Sequence, residues 1–358
     1  MKLIHAANIF AECGLDGVEG RFSELKALNE KSLKKLVERC EETQADLLLI
    51  SGNLFLGRPV LADLEEMDKL FGMLSKTRVF IVPGMKDGVG EGDPYERFSF
   101  KSRTMLFPGD SLQRVYVPEA NTEITCCGYN EKTWAKVRPE RITPGKKGRF
   151  QILLLPFLGK DDSEEALKEY LDAHGKDIAF DYVSIGQKVT REGNEGIPVY
   201  SLSALTPDSF DEDQKTGVFE CEFSSDKRSV NRVAVKLNPI SGNAFSVITV
   251  HLDPERSIED VENEIREKTG SDGTDKVFKL VLTGRPSVSV WYLKDSLREC
   301  GNIAEFSDQT EDVTDTVLKN EAVRRFAEEI GKLPDGKVKT NALRRGILSL
   351  LEQEGQAQ

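Results

Sequence analysis

Five short segments hold the residues whose types and spacing could do chemistry, and each segment follows a run of apolar residues. In open α/β sheets, ligands collect where strands end and loops begin, so these segments are candidates for a site. No glycine-rich phosphate loop and no Gly-x-Ser-x-Gly elbow accompanies them. The segments are Ala7-Asn8-Ile9-Phe10, Ser51-Gly52-Asn53-Leu54-Phe55, Val82-Pro83-Gly84-Met85-Lys86-Asp87, Leu155-Pro156-Phe157 and Gly186-Gln187-Lys188-Val189.

The elements that must position these residues alternate between strand and helix in the first part of the chain. Continuous apolar runs predict buried strands, and apolar residues at helical spacing predict amphipathic helices. Such alternation implies right-handed crossovers and a largely parallel sheet. Strands are predicted at 2–7, 46–54 and 78–83, and helices at 25–43 and 61–74.

The second part is richer in strands, and two sheets packed face to face and flanked by helices accommodate both parts. After residue 242 the pattern restarts as a compact α/β cap, in which Ser257 and Asp260 form a near capping box. The chain is predicted to divide into residues 1–240, a cap at 241–308 and a helical segment at 309–358. The further strands are predicted at 124–128, 151–155, 182–185, 199–202, 217–223, 232–237, 246–252 and 276–283, and the further helices at 258–268, 292–300, 315–330 and 341–354.

The five segments resemble, in order and spacing, the motifs of the calcineurin-like metallophosphoesterases: D-x-H, G-D, G-N-H-D, a lone H and G-H-x-H. Over residues 1–240 the chain is similar to the SbcD-type nucleases of DNA double-strand-break repair, and its start, Met-Lys-Leu-Ile-His-Ala-Ala, resembles theirs. The resemblance implies an α/β fold: a metallophosphoesterase-type two-sheet β-sandwich flanked by helices, then a small α/β cap domain and C-terminal helices. In an active member it also implies two Mn²⁺ or similar divalent ions.

The positions that would hold these ions carry other residues in this chain. Asp87, which is structural in the family, is retained. The replaced positions are Asn8 and Phe10 for the Asp and His of the first motif, Asn53 for the bridging Asp, Met85 and Lys86 for the Asn and His of the third, Pro156 for the lone His, and Gln187 and Val189 for the final His pair.

These replacements predict that the metal site is lost. Three of them offer no side-chain donor, and the two asparagines keep an oxygen but remove both negative charges that would offset two dications. Lys86 adds a positive charge, and an ion pair between Lys86 and Asp87 is expected to fill the former pocket. The three histidines are predicted to lie elsewhere: His5 in the core or at a strand end, His174 near a helix end and His251 in the first strand of the cap.

The sequence therefore favours a protein that is not an enzyme: an SbcD-like subunit or scaffold in DNA repair or processing, with no expected cofactor, working with an SMC-like ATPase. The resemblance implies a homodimer formed by helices of the first domain, and docking on an SbcC-like ATPase through the C-terminal helices. Two alternatives stay open. One is an active metal-dependent nuclease or phosphodiesterase with an altered site, and the other is a DNA-binding module.

The net charge of −12 means that DNA contact would require a local basic patch. Residues 132–149 contain seven basic residues and one acid, Glu140, a net of seven minus one or +6, with Trp134 among them. A solvated loop interrupted by Pro139, Pro144 and Gly145 is favoured slightly over a DNA contact as the explanation of this composition. The basic residues are Lys132, Lys136, Arg138, Arg141, Lys146, Lys147 and Arg149.

The six cysteines are scattered without a C-x-x-C pair, which predicts reduced, mostly buried thiols and neither a zinc site nor a disulfide framework. No run approaches the length of a membrane-spanning helix, and the first residues read as a buried strand and not as a signal peptide. The sequence predicts a cytoplasmic protein that does not bind membranes.

Overall fold

A computed structural model gives the fold and describes residues 1–11, 21–90, 92–109, 111–194, 196–206, 215–225, 231–240, 245–253, 255–270, 276–286, 290–310, 325–326 and 329–330. Within these residues the chain forms fourteen strands and six α-helices. It divides into two compact units, Met1–Gly242 and Asn243–Gln358. None of the helices described is long and apolar enough to cross a membrane.

The first unit contains two sheets and the helices that cover them. Its elements are β1 (Lys2–Ala7), α1 (Arg21–Thr43), β2 (Leu47–Ser51), α2 (Leu61–Phe71), β3 (Arg78–Val82), α3 (Pro94–Arg97), β4 (Thr104–Leu106), β5 (Gln113–Val117), β6 (Thr122–Cys126), β7 (Phe150–Leu154), α4 (Glu164–His174), β8 (Tyr182–Gly186), β9 (Val199–Leu202), β10 (Val218–Ser225) and β11 (Asn231–Asn238).

The six-stranded sheet has the order β11-β10-β1-β2-β3-β4, and the five-stranded sheet has the order β5-β6-β7-β8-β9. In the first sheet β1, β2, β3 and β4 are parallel, while β10 pairs antiparallel with both β1 and β11. In the second sheet β6 to β9 are parallel and β5 is antiparallel to β6. Because parallel strands end at the same edge, the segments after β1, β2 and β3 lie side by side.

The two sheets share one hydrophobic core, because successive side chains of a strand point to opposite faces. On β2, Leu47 and Leu49 pack in the core shared with β6, β7 and β8, whereas Leu48 and Ile50 pack in a second core with residues of α1 and α2. On β7, Leu153 belongs to a third core, which includes buried residues of α4. This alternation explains why β2 and β7 read as continuous apolar runs.

The second unit is a three-stranded parallel sheet, β12 (Phe245–Leu252), β13 (Val277–Gly284) and β14 (Ile303–Thr310), with helices α5 (Ile258–Thr269) and α6 (Val290–Arg298). Its core joins Val250 and Leu280 to Val261 of α5 and Leu297 of α6. The predicted cap at the start of α5 is confirmed, since the Ser257 hydroxyl oxygen accepts the Asp260 N–H at 3.1 Å.

The predicted α/β class is confirmed, and most predicted strands and helices occur within a few residues of their expected bounds. Strands β4, β5 and β14 were not predicted. They are short or polar on one side, and β5 is exposed along most of its length. The predicted helices at 315–330 and 341–354 lie outside the described residues apart from 325–326 and 329–330.

The three histidines lie where the sequence placed them, with His5 in β1, His174 at the end of α4 and His251 in β12. Five cysteines are buried free thiols, as predicted, and the sixth, Cys13, lies outside the described residues.

Candidate functional site

The loops after β1, β2, β3 and β8 meet in what we call the strand-end cluster, formed by Asn8, Asn53, residues 84–87 and Gly186. Asn8 donates its backbone N–H to Ser51 at 3.2 Å, and Phe10 donates its own to Asn53 at 3.3 Å. Gly186, at the end of the second sheet, approaches so closely that a Cβ there would lie 2.3 Å from the Ser51 carbonyl oxygen. The sequence predicted that these segments follow strands, and the structure brings four of the five together here.

Asn8 and Asn53 bind each other through their side chains. The Asn8 Oδ1 accepts both the backbone N–H of Asn53 at 3.1 Å and its Nδ2–H at 2.9 Å. The Asn8 Nδ2 donates to the carbonyl oxygen of Ser203 at 2.9 Å, and the Asn53 Oδ1 accepts the Lys86 N–H at 2.7 Å. Both asparagines are 3% exposed. All four side-chain amide atoms therefore have protein partners, as buried polar groups require.

Glycines surround this amide pair because no side chain would fit. A Cβ on Gly84 would lie 2.4 Å from Asn53 Oδ1, and one on Gly52 would lie 2.5 Å from Asn8 Oδ1. Gly52 also has φ +83°, which favours glycine. Asn8 itself has φ +46°, a conformation that asparagine tolerates better than most residues. The protein backbone thus fills the space around the pair.

Asp87 fixes the loop after β3 by accepting four hydrogen bonds. Its Oδ2 accepts the backbone N–H groups of Leu54 at 2.8 Å and Phe55 at 3.0 Å and the Tyr95 hydroxyl at 3.0 Å, and its Oδ1 accepts the Gly84 N–H at 2.8 Å. The side chain is fully buried, and burial raises the pKa of Asp87 to about 7 against the lowering effect of these hydrogen bonds. Its role is to connect the loops after β2 and β3.

The predicted ion pair between Lys86 and Asp87 is wrong. The Asp87 oxygens are directed at backbone and tyrosine donors, whereas the Lys86 ammonium lies 4.9 Å from the centre of the Phe10 ring, a cation–π distance. Phe10 has φ +52°, which is strained for an aromatic residue. Met85 is 41% exposed.

The positions of the last two motifs serve the loop that precedes α4. The Gln187 Oε1 accepts the Leu158 N–H at 3.2 Å, and its Nε2 donates to the Ser163 carbonyl oxygen at 2.7 Å. Pro156 is buried and its carbonyl oxygen accepts the Gly186 N–H at 2.9 Å, while Val189 packs against the core beside α4. These three residues hold strands and loops together and supply no ligand group to the amide pair.

The strand-end cluster does not fit a pair of divalent ions. The amide oxygens of Asn8 and Asn53 already accept N–H groups, and the only carboxylate of the cluster, Asp87, is occupied by four donors. Hard dications require several free oxygen ligands with negative charge, and the Lys86 ammonium nearby opposes them. In the part of the chain that the structure describes, no three His, Cys, Asp or Glu side chains are grouped as a metal site requires.

A buried hydrogen-bond chain lies behind the cluster and was not predicted. His5 Nδ1 lies 2.9 Å from the Tyr182 hydroxyl and His5 Nε2 lies 2.9 Å from the Ser51 hydroxyl, so the chain links both sheets. His5 is fully buried, and desolvation lowers its pKa to about 3, with a backbone hydrogen bond at Ile185 opposing the shift. Only the spacing of apolar residues indicated that position 5 is internal.

We expect His5 to make the fold sensitive to acid. The pKa of His5 is about 3 in the folded state and 6.5 in the unfolded state, so between these pH values the unfolded state binds a proton that the folded state does not bind. The stabilisation is therefore present above pH 6.5 and is lost as the pH falls towards 3, by about 2 kcal/mol between pH 7 and pH 5. Between pH 7 and pH 5, the free energy of unfolding measured in urea should fall by about 2 kcal/mol less for His5→Gln than for the unmodified chain.

The control for this experiment is His251→Gln, which removes an exposed histidine from β12. It should retain the pH dependence of the unmodified chain. Equal pH dependence of His5→Gln and His251→Gln would contradict the assignment.

Six of the seven basic residues of the segment at 132–149 are exposed, and the seventh is Arg149. Arg149 donates to Glu123 at 2.8 Å and stacks on the Tyr116 ring at 3.5 Å, so its charge is paired. Trp134 is buried. The exposed basic residues are Lys132, Lys136, Arg138, Arg141, Lys146 and Lys147.

No model of a known protein family matches the chain, and no curated protein matches it. Among solved structures it is similar to GAP50, the anchor in the inner membrane complex of Plasmodium, with 14% identity and a TM-score of 0.36. The match covers 68% of this chain and 85% of that chain. A similarity at this level assigns neither a family nor a function.

Proposed function

We propose that the chain is a non-catalytic relative of the SbcD-type metallophosphoesterases, which acts as a scaffold in DNA processing. The observation that carries the proposal is the side-chain pairing of Asn8 and Asn53 at the two positions where the family motifs have metal-binding aspartates. The polar atoms of both side-chain amides have hydrogen-bond partners within the protein, so the pair is stable without an ion. The amides also lack the negative charge that a bound divalent ion requires of its ligands.

Three further features support the proposal. Two sheets share a core in the first unit, as in the sandwich that the resemblance implies. The retained Asp87 ties two loops together, which is a structural role. Gln187 binds the loop before α4 through three of its backbone carbonyl oxygens and one N–H, so its side chain is occupied by the fold.

The proposed partners follow from the resemblance. An SMC-like ATPase would bind the segment 309–358, a second copy would bind helices of the first unit, and DNA would contact the exposed cations of 132–149. On this proposal the protein is cytoplasmic and acts by binding these partners at its surface.

The test is to measure metal content and phosphodiesterase activity together. After incubation with Mn²⁺ and desalting, elemental analysis should find far less than one manganese per chain. Hydrolysis of bis(p-nitrophenyl) phosphate should not exceed that of a matched Asn8→Ala/Asn53→Ala variant, because neither asparagine has a catalytic role. Stoichiometric manganese with turnover that the double variant loses would overturn the proposal, and the altered-site enzyme would replace it.

A further inference from the structure

A cleft of about 630 Å³ lies between residues 129–140 and helix α4, in the first unit. This volume is in the range of small-molecule sites. Its aromatic lining includes Tyr129, Trp134 and Tyr170. Trp134 is 9% exposed and is held by Phe157, with ring centres 4.6 Å apart, so its position is fixed by the core.

Three carboxylates and two cations line the cleft, so the lining carries a net charge of three minus two, or one negative charge. The carboxylates are those of Glu131, Glu140 and Glu169, and the cations are those of Arg138 and Lys160. The ammonium of Lys160 lies 3.8 Å from the carboxylate of Glu169, and the two charges offset each other. The Arg138 guanidinium donates to the backbone carbonyl oxygens of Ala135 at 2.6 Å and Val137 at 3.1 Å.

Two carboxylates of the lining, Glu131 and Glu140, then have no cationic partner among the described residues. The pKa values of two tyrosines of the cleft are raised by burial and by nearby carboxylates. In the described chain the Tyr170 hydroxyl oxygen is buried and makes no hydrogen bond of standard geometry. Burial raises its pKa, and the charge of Glu140, a side-chain hydrogen-bond interaction with Glu140 and the charge of Asp177 add to the shift. Burial and the charge of Glu131 raise the pKa of Tyr129 in the same direction.

We propose that this cleft binds an organic cation with an apolar body, of the arylalkylammonium class. The faces of tyrosine and tryptophan attract a cation, and the one negative charge by which the carboxylates of the lining exceed Arg138 and Lys160 adds to that attraction. The net negative charge of the lining disfavours an anion, including a phosphate, relative to a cation. The inference does not depend on the proposed scaffold function, since the cleft lies apart from Asn8 and Asn53.

The test compares three probes with one phenyl body: 2-phenylethylammonium, 2-phenylethanol and phenylacetate. Binding to the full chain is followed by isothermal titration calorimetry and by the change in tryptophan fluorescence, since Trp134, one of the two tryptophans, lines the cleft. We expect the ammonium to bind at least about tenfold more tightly than the alcohol, and phenylacetate to bind most weakly. In Glu140→Gln the preference for the ammonium over the alcohol should fall to about threefold or less, while binding of the alcohol is retained.

Glu165→Gln is the matched control, since Glu165 is an exposed carboxylate in the first turn of α4 outside the cleft lining. It should keep the full preference for the ammonium. Three results would overturn the proposal: no binding of the ammonium, equal affinity for the ammonium and the alcohol, or tighter binding of phenylacetate. An unchanged preference in Glu140→Gln would overturn it as well.

Discussion

Asp87→Ala is expected to lower the free energy of unfolding at pH 5 by about 3–5 kcal/mol, because four buried donors lose their acceptor. The donors come from three separate places in the chain, so no local rearrangement can satisfy them all. They are the backbone N–H groups of Leu54, Phe55 and Gly84 and the hydroxyl of Tyr95. Urea unfolding followed by circular dichroism measures the loss.

The cost of Asp87→Ala should decrease with rising pH. Burial raises the pKa of Asp87 from 3.8 to about 7, so the folded state holds a proton between these values that the unfolded state has released. The stabilisation from this carboxyl group is therefore complete below pH 3.8 and is lost as the pH rises through 7. Repeating the unfolding series at pH 8 tests this direction.

Tyr95→Phe is the control for Asp87→Ala, since it removes one of the four donors and should cost only about 1 kcal/mol. Asp87→Asn should fall between the two, because its amide keeps one acceptor oxygen but turns an N–H towards another donor. A loss in Asp87→Ala no greater than in Tyr95→Phe would refute the structural role of the carboxyl group, as would a cost that grows with pH.

Asn53→Asp should cost about 2–4 kcal/mol, although it introduces the residue found in the phosphoesterase motif that this segment resembles. The Asn53 Nδ2 donates to the Asn8 Oδ1 at 2.9 Å, so the substitution would place a carboxylate oxygen against a carbonyl oxygen at that distance. Both residues are 3% exposed, and water cannot separate the two oxygens without opening the loops. Thermal and urea unfolding at pH 7 measure the cost.

The control for Asn53→Asp is Met85→Ala, which alters an exposed residue of the same cluster and should change stability little. Mn²⁺ provides the second control. If a cation site were latent in the cluster, Mn²⁺ would raise the stability of Asn53→Asp above that of the metal-free variant. Such a rescue, or an unchanged stability of Asn53→Asp without metal, would disprove the amide pairing as the reason for the loss.

The strands that carry the site could be predicted because they are buried on both faces. In β2, residues 47–51 alternate between two cores, so every position is apolar or small, and the run is visible without any alignment. The strand ends follow from these runs, which is why Asn8 and Asn53 were placed correctly. Strand β5 has mostly exposed residues and gave no such signal.

The contacts of the site could not be predicted, because they depend on residues distant in sequence. The Asn8 amide donates to Ser203, and Asp87 binds backbone N–H groups of the loop after β2, so backbone geometry decides both. The predicted ion pair of Lys86 with Asp87 was wrong for the same reason, because each residue contacts a part of the chain that is distant in sequence. Lys86 lies against the Phe10 ring, and Asp87 accepts the Leu54 N–H. The cleft beside α4 is lined by residues 129–140 and 159–174, and nothing in the sequence indicated that these two segments lie together.

The interlocked amides of Asn8 and Asn53 also restrict the evolutionary paths open to this chain. On the proposed descent, return to a metal site would require carboxylates at both positions, removal of Lys86 and new imidazoles, and the first of these steps alone is destabilising. Selection would eliminate such an intermediate before any catalysis could reward it. On the proposed function, the amide pair therefore opposes a return to a metal site.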